Sequence, residues 1–374
     1  YKETNRDQTD PAAVLRINAE GVVSYKALLF IPGKDIDNGI SGATKKGVKL
    51  YCNGVLIMED CDKLLHDYFE FARGVVDSPD LSLNISREIL QHNRQLKVIG
   101  QNLEKKIKAE LEKMMRDDRP KYETFWKNFG IHIKCGVCDE YGRFTDFLKD
   151  LLIFYTSEDS MRSLKEYVDA MPESQKAIYY ASADTVKHAM ALPQCEEVRS
   201  RGYEILYLDH PIDETVLQQL RMYEGKGFVN ILTEDLGFQT DEEKKAAEEK
   251  VVENKELLDF IRDSIGDEKL KQVTLSSKLV SSACCLTSTG GFTLEMEKYF
   301  RNGPSEEMRK LRADRVLELN GKHAACLAIK KAYDDGDKDK AAALSKILYA
   351  QSELIAGVEI EDPTAYADLV CSLF

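Results

Sequence analysis

Three short apolar runs, at residues 178–182, 203–208 and 228–232, alternate with two amphipathic stretches at 185–201 and 213–223. Strands separated by helices at this period are too far apart to pair as hairpins. They pack instead as parallel βαβ units with right-handed crossovers. A small α/β domain over 150–236 is therefore expected. Folds of this kind often bind nucleotides, but no Gly-x-Gly-x-x-Gly or Walker-type loop follows any of these strands, so no cofactor is assigned to it.

The preceding residues have another rhythm. Residues 14–31 alternate apolar and polar around Glu20-Gly21, and two runs at 48–52 and 55–59 flank Asn53-Gly54, the residues of a tight hairpin turn. Residues 64–76 and 86–117 read as helices laid on that sheet, making 1–118 a large α/β layer domain. Residues 119–149, with Trp126 and Phe129, read as a connector of short helical pieces. The region 237–374 opens with an acid-rich helix over 239–266, whose apolar stripe stops at Gly266. Extended stretches at 270–280 and 315–319 follow, then helices at 338–356 and from Asp362-Pro363 to the end. The fold class is thus α/β and α+β multidomain: two α/β layer domains, a helical connector between them, and an α+β C-terminal domain. A chain of 374 residues exceeds what one core organises.

Ser86 reads as an N-cap, which puts Arg87 at the first helical position and Gln91 one turn later on the same face. A cation is mildly unfavourable at the positive end of a helix unless an anion is its partner. Arg87 and Gln91 therefore suggest a phosphate clamp; the plain alternative is a solvated arginine. The stripe Phe292, Leu294, Met296, Tyr299 and Phe300, after Gly290-Gly291, suits either core packing or an adaptable surface for apolar segments of other proteins. Two amphipathic helices over 338–374 have few neighbours. They either pack back on their own subunit or complete a four-helix bundle with a second copy.

The net charge of −13 is spread over mixed-sign sequence, which argues for solubility and against nucleic acid. Nine cysteines without framework spacing read as reduced thiols. Cys135-Gly-Val-Cys138 follows an extended-looking stretch and has no second pair, so neither metal nor redox chemistry is expected there. No apolar run approaches a membrane span of roughly 18 residues, and no signal-peptide pattern opens the chain. A soluble, cytoplasmic protein is expected, with residues upstream of Tyr1. The six histidines form no spaced set, which weighs against a standalone α/β enzyme with Arg87 as its anion site.

Gly47-Val-Lys-Leu-Tyr51, Val55-Leu-Ile-Met-Glu59, Phe71-Ala-Arg-Gly-Val-Val-Asp77, Leu83-Asn-Ile-Ser-Arg-Glu-Ile-Leu-Gln91, Lys121-Tyr-Glu-Thr-Phe-Trp126, Tyr167-Val-Asp-Ala-Met-Pro172 and Gly202-Tyr-Glu-Ile-Leu206 occur in one order. Together they resemble the middle and C-terminal domains of the ninety-kilodalton heat-shock protein family. That resemblance implies an ATP-dependent chaperone of unfolded or partly folded client proteins. Its N-terminal domain, not among these residues, would bind ATP and Mg²⁺; Arg87 would meet the γ-phosphate and Gln91 would support the same loop. It also implies a homodimer through 338–374, client contact through the stripe 292–300, and no ATP turnover by these residues alone. Two features depart from the family pattern or narrow it. The loop Gly33-Lys-Asp-Ile-Asp-Asn38 is short and polar where the family has an aromatic one, and the chain ends Cys371-Ser-Leu-Phe374 without an acidic co-chaperone motif, which favours a bacterial origin. The remaining alternative is a non-enzymatic dimeric scaffold that binds proteins without nucleotide.

Overall fold

A computed structural model describes residues 1–5, 7–34, 47–81, 94–290, 292–301 and 305–372. The chain divides into two compact units, one comprising 1–153 with 163–165 and 215–220, the other comprising 154–162, 166–214 and 221–374.

The first unit holds a five-stranded sheet in the order β1-β2-β5-β3-β4. Its strands are β1 (Ala13–Ala19), β2 (Tyr25–Ile31), β3 (Val48–Cys52), β4 (Val55–Met58) and β5 (Arg73–Asp77). β1 and β2 pair as an antiparallel hairpin with Ala13 opposite Ile31. The β3–β4 hairpin turns at Asn53 and Gly54, with φ of 51° and 77° as the sequence implies. β5 enters between β2, antiparallel, and β3, parallel. Gly74 makes that insertion possible: at φ +145° a Cβ there would stand 2.1 Å from the Leu28 carbonyl oxygen. The expected helix over 64–76 is wrong. A 3₁₀ turn, Asp67–Phe69, leads into β5, because Arg73–Asp77 pairs with β2 on one side and β3 on the other, and its β-branched Val75 and Val76 tolerate the pleat.

Two long helices cover this sheet's unit. In α1 (Arg94–Asp117), Leu96, Ile99, Leu103, Ile107 and Leu111 form a fully buried stripe. The second, α2 (Arg119–Cys138), starts at Asp118, whose side chain accepts from the Lys121 N–H, with Pro120 in the first turn. The expectation of short helical pieces, with the two cysteines in extended chain, is corrected: α2 is one helix of 20 residues, and Cys135 and Cys138 lie at its end. Ile131 and Ile133 suggested a strand, yet Phe125, Phe129, Ile133 and Val137 recur every four residues and are all buried, so packing decides. The Phe71 ring lies 5.1 Å from Phe125 and 5.2 Å from Phe129.

The second unit contains most of a six-stranded sheet ordered β10-β11-β8-β9-β6-β7. The strands are β6 (Ile153–Ser157), β7 (Ser160–Ser163), β8 (Ile178–Ser182), β9 (Ile205–Leu208), β10 (Met222–Tyr223) and β11 (Lys226–Asn230). β8 pairs in parallel with both β9 and β11, as the alternating pattern requires. Every residue of β8 and β9 is buried, as expected of strands covered on both faces. Helix α3 (Leu164–Ala170) precedes β8. The single helix expected over 185–201 is instead α4 (Val186–Ala191), a 3₁₀ turn and α5 (Glu196–Ser200), because Leu192 is extended before Pro193. Helix α6 (Ile212–Leu220) stops short of β10.

A three-stranded sheet ordered β12-β14-β13 completes this unit, with β12 (Leu270–Leu275), β13 (Cys284–Thr289) and β14 (Asp314–Leu319). β13 was not anticipated; its Cys284-Cys285-Leu286 run is buried. The helix expected over 239–266 is broken at Asn254 into α7 (Asp241–Glu253) and α8 (Lys255–Ile265), and α8 closes on Gly266 at φ 74°. Then come α9 (Leu294–Arg301), α10 (Ala324–Asp334), α11 (Lys338–Ala356) and α12 (Pro363–Cys371). Leu258, Ile261, Leu286, Leu317, Ile329 and Leu348 form the heart of its core. Glu196, at the start of α5, accepts hydrogen bonds from the N–H groups of Val280, Ser281 and Ser282 and from both serine hydroxyls. Burial opposes its ionisation, but those donors outweigh it and draw the carboxyl down to about 2. No helix among the described residues is long and apolar enough to cross a membrane.

Candidate functional site

Arg87 and Gln91, with Ser86 and Asn84, lie outside the described residues, as does most of the polar loop 33–38. The described residues on either side of 82–93 are tied into the first unit. Ser78 donates from its N–H to the Tyr51 carbonyl and from its hydroxyl to the Ser24 carbonyl at 2.7 Å. Asp80 accepts from the Ser24 N–H at 2.6 Å, and the Cys52 thiol meets the Leu81 carbonyl at 2.9 Å. On the far side, Leu96 and Ile99 anchor α1 in the core.

The apolar stripe at 292–300 falls mainly on α9, and its members do not share one environment. Leu294 is buried in the core between the three-stranded sheet and its helices. Phe292 is partly buried against that core, its ring 6.0 Å from Phe300 in a stacked arrangement. Met296 points to solvent, 37% exposed. The Tyr299 side chain lies outside what the structure describes. The Thr293 hydroxyl accepts from the Met296 N–H and so caps the helix start. Met296 is thus exposed on a helix anchored by Leu294, with Phe292 and Phe300 half-buried.

The same helix also carries a buried constellation that sequence reasoning missed. Glu297 is fully buried; its carboxylate accepts from the Ala313 N–H at 2.8 Å, Arg301 at 3.2 Å and Arg315 at 3.3 Å. Arg315, on β14 and itself buried, also reaches Asp267 at 3.2 Å, the Tyr349 hydroxyl at 3.0 Å and Glu353 at 2.6 Å. Burial disfavours the guanidinium, but the Tyr349 contact and the Glu297 and Glu353 carboxylates hold it firmly charged. Burial raises Glu353 to about 7, and Arg315 offsets this only in part because Asp267 repels. This cluster ties α9 to α11 through one cation. Its members are far apart in sequence; the one usable signal was an arginine at an inward position of the apolar strand Asp314–Leu319.

Along the C-terminal helices, apolar side chains remain uncovered: Leu327 is 50%, Leu354 54% and Ile355 40% exposed. No residue of α12 is buried, although Tyr366, Leu369 and Val370 are half covered. Among the described residues no group of three or more His, Cys, Asp or Glu side chains is arranged to hold a metal.

The profile of the family described as "Hsp90 protein" matches residues 1–374. The chain is 43% identical over 374 residues to "Chaperone protein HtpG" of Bacillus subtilis (strain 168), covering 100% of this chain and 59% of that protein. It is 44% identical over 364 residues to the HtpG chaperone of Clostridium acetobutylicum, covering 97% and 57%, and 41% identical over 374 residues to that of Alkaliphilus oremlandii, covering 100% and 59%. The chain thus spans less than two thirds of the length of these relatives. With the profile matched from the first residue to the last and such relatives more than two-fifths identical, the chain belongs to the Hsp90 protein family.

Proposed function

We propose that this chain acts as the middle and C-terminal part of a cytoplasmic, ATP-dependent molecular chaperone that binds unfolded or partly folded client proteins and works as a homodimer. The observation that carries this reading is the unbroken similarity to proteins named HtpG chaperones along the whole chain. In it, residues 1–118, 119–149, 150–236 and 237–374 serve as large middle subdomain, connector, small middle subdomain and dimerisation domain. ATP and Mg²⁺ belong to an N-terminal domain corresponding to the part of the relatives that this chain does not span. Arg87 supplies a planar, permanently charged fork to the γ-phosphate, and Gln91 steadies the same segment. Phe292, Leu294, Met296, Tyr299 and Phe300 form the client-contact element, Leu294 anchoring it from beneath. The exposed Leu354 and Ile355 support pairing of the C-terminal helices with a second copy.

Arg87→Ala in the full-length protein is expected to slow ATP hydrolysis on the order of 10³-fold while leaving the dimer intact. Unchanged turnover would instead favour the non-enzymatic scaffold. Residues 1–374 on their own are expected to show no turnover, and removal of 338–374 to convert them to a monomer in sedimentation.

A further inference from the structure

In an extended chain, residues three apart point to opposite faces, and Cys135 and Cys138 would have nothing in common. Helix α2 changes that relation. Residues three apart on a helix share one face, and a regular turn sets their Cα atoms about 5 Å apart, inside the span of about 4.4–6.8 Å that a disulfide bridges. The two residues between them fix which side of the turn faces inward. Gly136 is buried so closely that a Cβ there would stand 2.5 Å from Tyr68 Cβ. Val137 is fully buried, and its carbonyl accepts from the Thr145 hydroxyl at 3.2 Å. Cys135 is left exposed and Cys138 half-buried. Past Cys138 the chain continues as a 3₁₀ turn, Asp139–Gly142, in which residues three apart eclipse. The slight tightening that an S–S bond requires therefore follows the course the backbone already takes.

The position also decides which kind of redox chemistry suits the pair. A Cys-x-x-Cys that opens a helix has its thiolate stabilised by the dipole, which makes its disulfide a strong oxidant. This pair closes a helix instead, at the negative end of the dipole. Burial raises the Cys135 thiol, and the Asp139 and Glu70 carboxylates raise it further. His132, one turn earlier on α2, meets the same Glu70 carboxylate at 3.2 Å. The reduced pair thus gains nothing from a stabilised thiolate. It is suited to accept a disulfide slowly and hold it, not to pass one on.

We propose that Cys135 and Cys138 form a reversible dithiol–disulfide site, oxidised by a low-molecular-weight disulfide such as glutathione disulfide. The exposed Cys135, as thiolate, attacks one glutathione sulfur; the glutathione S–S bond breaks, and one glutathione leaves as thiolate and takes up a proton. The Cys138 thiolate then attacks the Cys135 sulfur of the mixed disulfide, forming the Cys135–Cys138 bond and releasing the second glutathione, which takes up the other proton. Two protein thiols are oxidised and one glutathione disulfide is reduced to two thiols. The site is independent of the chaperone reading. Its effect is to keep the exposed Cys135 sulfur in a state from which a thiol restores it, short of irreversible oxidation.

The test is equilibration of the whole chain carrying Cys371→Ser, which removes the other exposed thiol, in a buffer with oxidised glutathione in excess over reduced. Acid quenching, alkylation and tryptic mass mapping follow. More than about half of the Cys135–Arg143 peptide is expected to be lighter by two hydrogens and unalkylated, and excess dithiothreitol to restore both thiols. Cys138→Ser should instead accumulate glutathione on Cys135, at least about tenfold faster than Cys135→Ser takes it up on the half-buried Cys138. Thermal melts check that each form is folded, and the mapping of the natural pair carries the test alone should either variant fail to fold. A pair that stays reduced, a lasting glutathione adduct on Cys135 while Cys138 remains a thiol, closure that dithiothreitol does not reverse, or equal uptake by the two variants would overturn the proposal.

Discussion

Both units have apolar cores, but they use buried charge differently. The first packs Phe71 against Phe125 and Phe129 and buries leucine and isoleucine stripes, and its buried Glu104 serves as a local tie to the His66 N–H and the Tyr68 hydroxyl. The second sinks Arg315 among Asp267, Glu297 and Glu353 beneath the helix that carries Phe292 and Met296. Apolar packing is non-directional and tolerates small shifts. A buried ion cluster is directional, and holds α9 and α11 in one relation or fails. The lesson is local: α9, which carries the exposed Met296, is held both by the apolar core under Leu294 and by the directional contacts of Glu297.

Removing the central cation should have the largest effect. Arg315→Ala is expected to lower stability by about 3–5 kcal/mol in urea unfolding, since it strands buried carboxylates. The loss should grow from pH 5 to pH 8 as those carboxylates ionise. Even in the native protein, Glu353 binds its proton more tightly folded than unfolded, so its contribution is fully present below about pH 4.5 and is lost as pH rises through about 7. A flat pH response in Arg315→Ala would break the contrast between the units. In the first unit, Phe125→Leu should cost about 2 kcal/mol with no such pH dependence, because only packing is lost. Smallest is Glu196→Gln, at about 1 kcal/mol by chemical denaturation near neutral pH. Because the Glu196 carboxyl sits at about 2, its contribution is present above about pH 4.5 and disappears as pH falls through about 2, so native and variant stabilities should converge in acid.

Elements with a strong local signal were legible in the sequence. The Asn53-Gly54 hairpin, the parallel β8, β9 and β11, the Gly266 stop and the α11 and α12 boundaries depend on turn chemistry, periodicity and caps that reside in a few adjacent residues. The failures came where tertiary contacts decide. β5 is a strand because β2 and β3 flank it, and α2 is one helix because Phe71 packs on its aromatic face. For the candidate sites, the stripe at 292–300 was visible as a stripe, but periodicity did not separate the buried Leu294 from the outward Met296. The Arg315 cluster was invisible, since its partners Asp267, Glu297, Tyr349 and Glu353 come from separate elements brought together only by folding.

The distribution of thiols has a practical consequence. Cys52, Cys61, Cys195, Cys284, Cys285 and Cys326 are buried and Cys138 is half-buried, whereas Cys135 and Cys371 are exposed, one on each compact unit. A maleimide dye should therefore mark the natural chain at those two places before any others, with Cys135 the slower because partial burial and the nearby Asp139 and Glu70 carboxylates raise its thiol. With the half-buried Cys138 replaced, that gives a donor and acceptor pair for single-molecule distance measurements across the two units while the six buried cysteines stay in place.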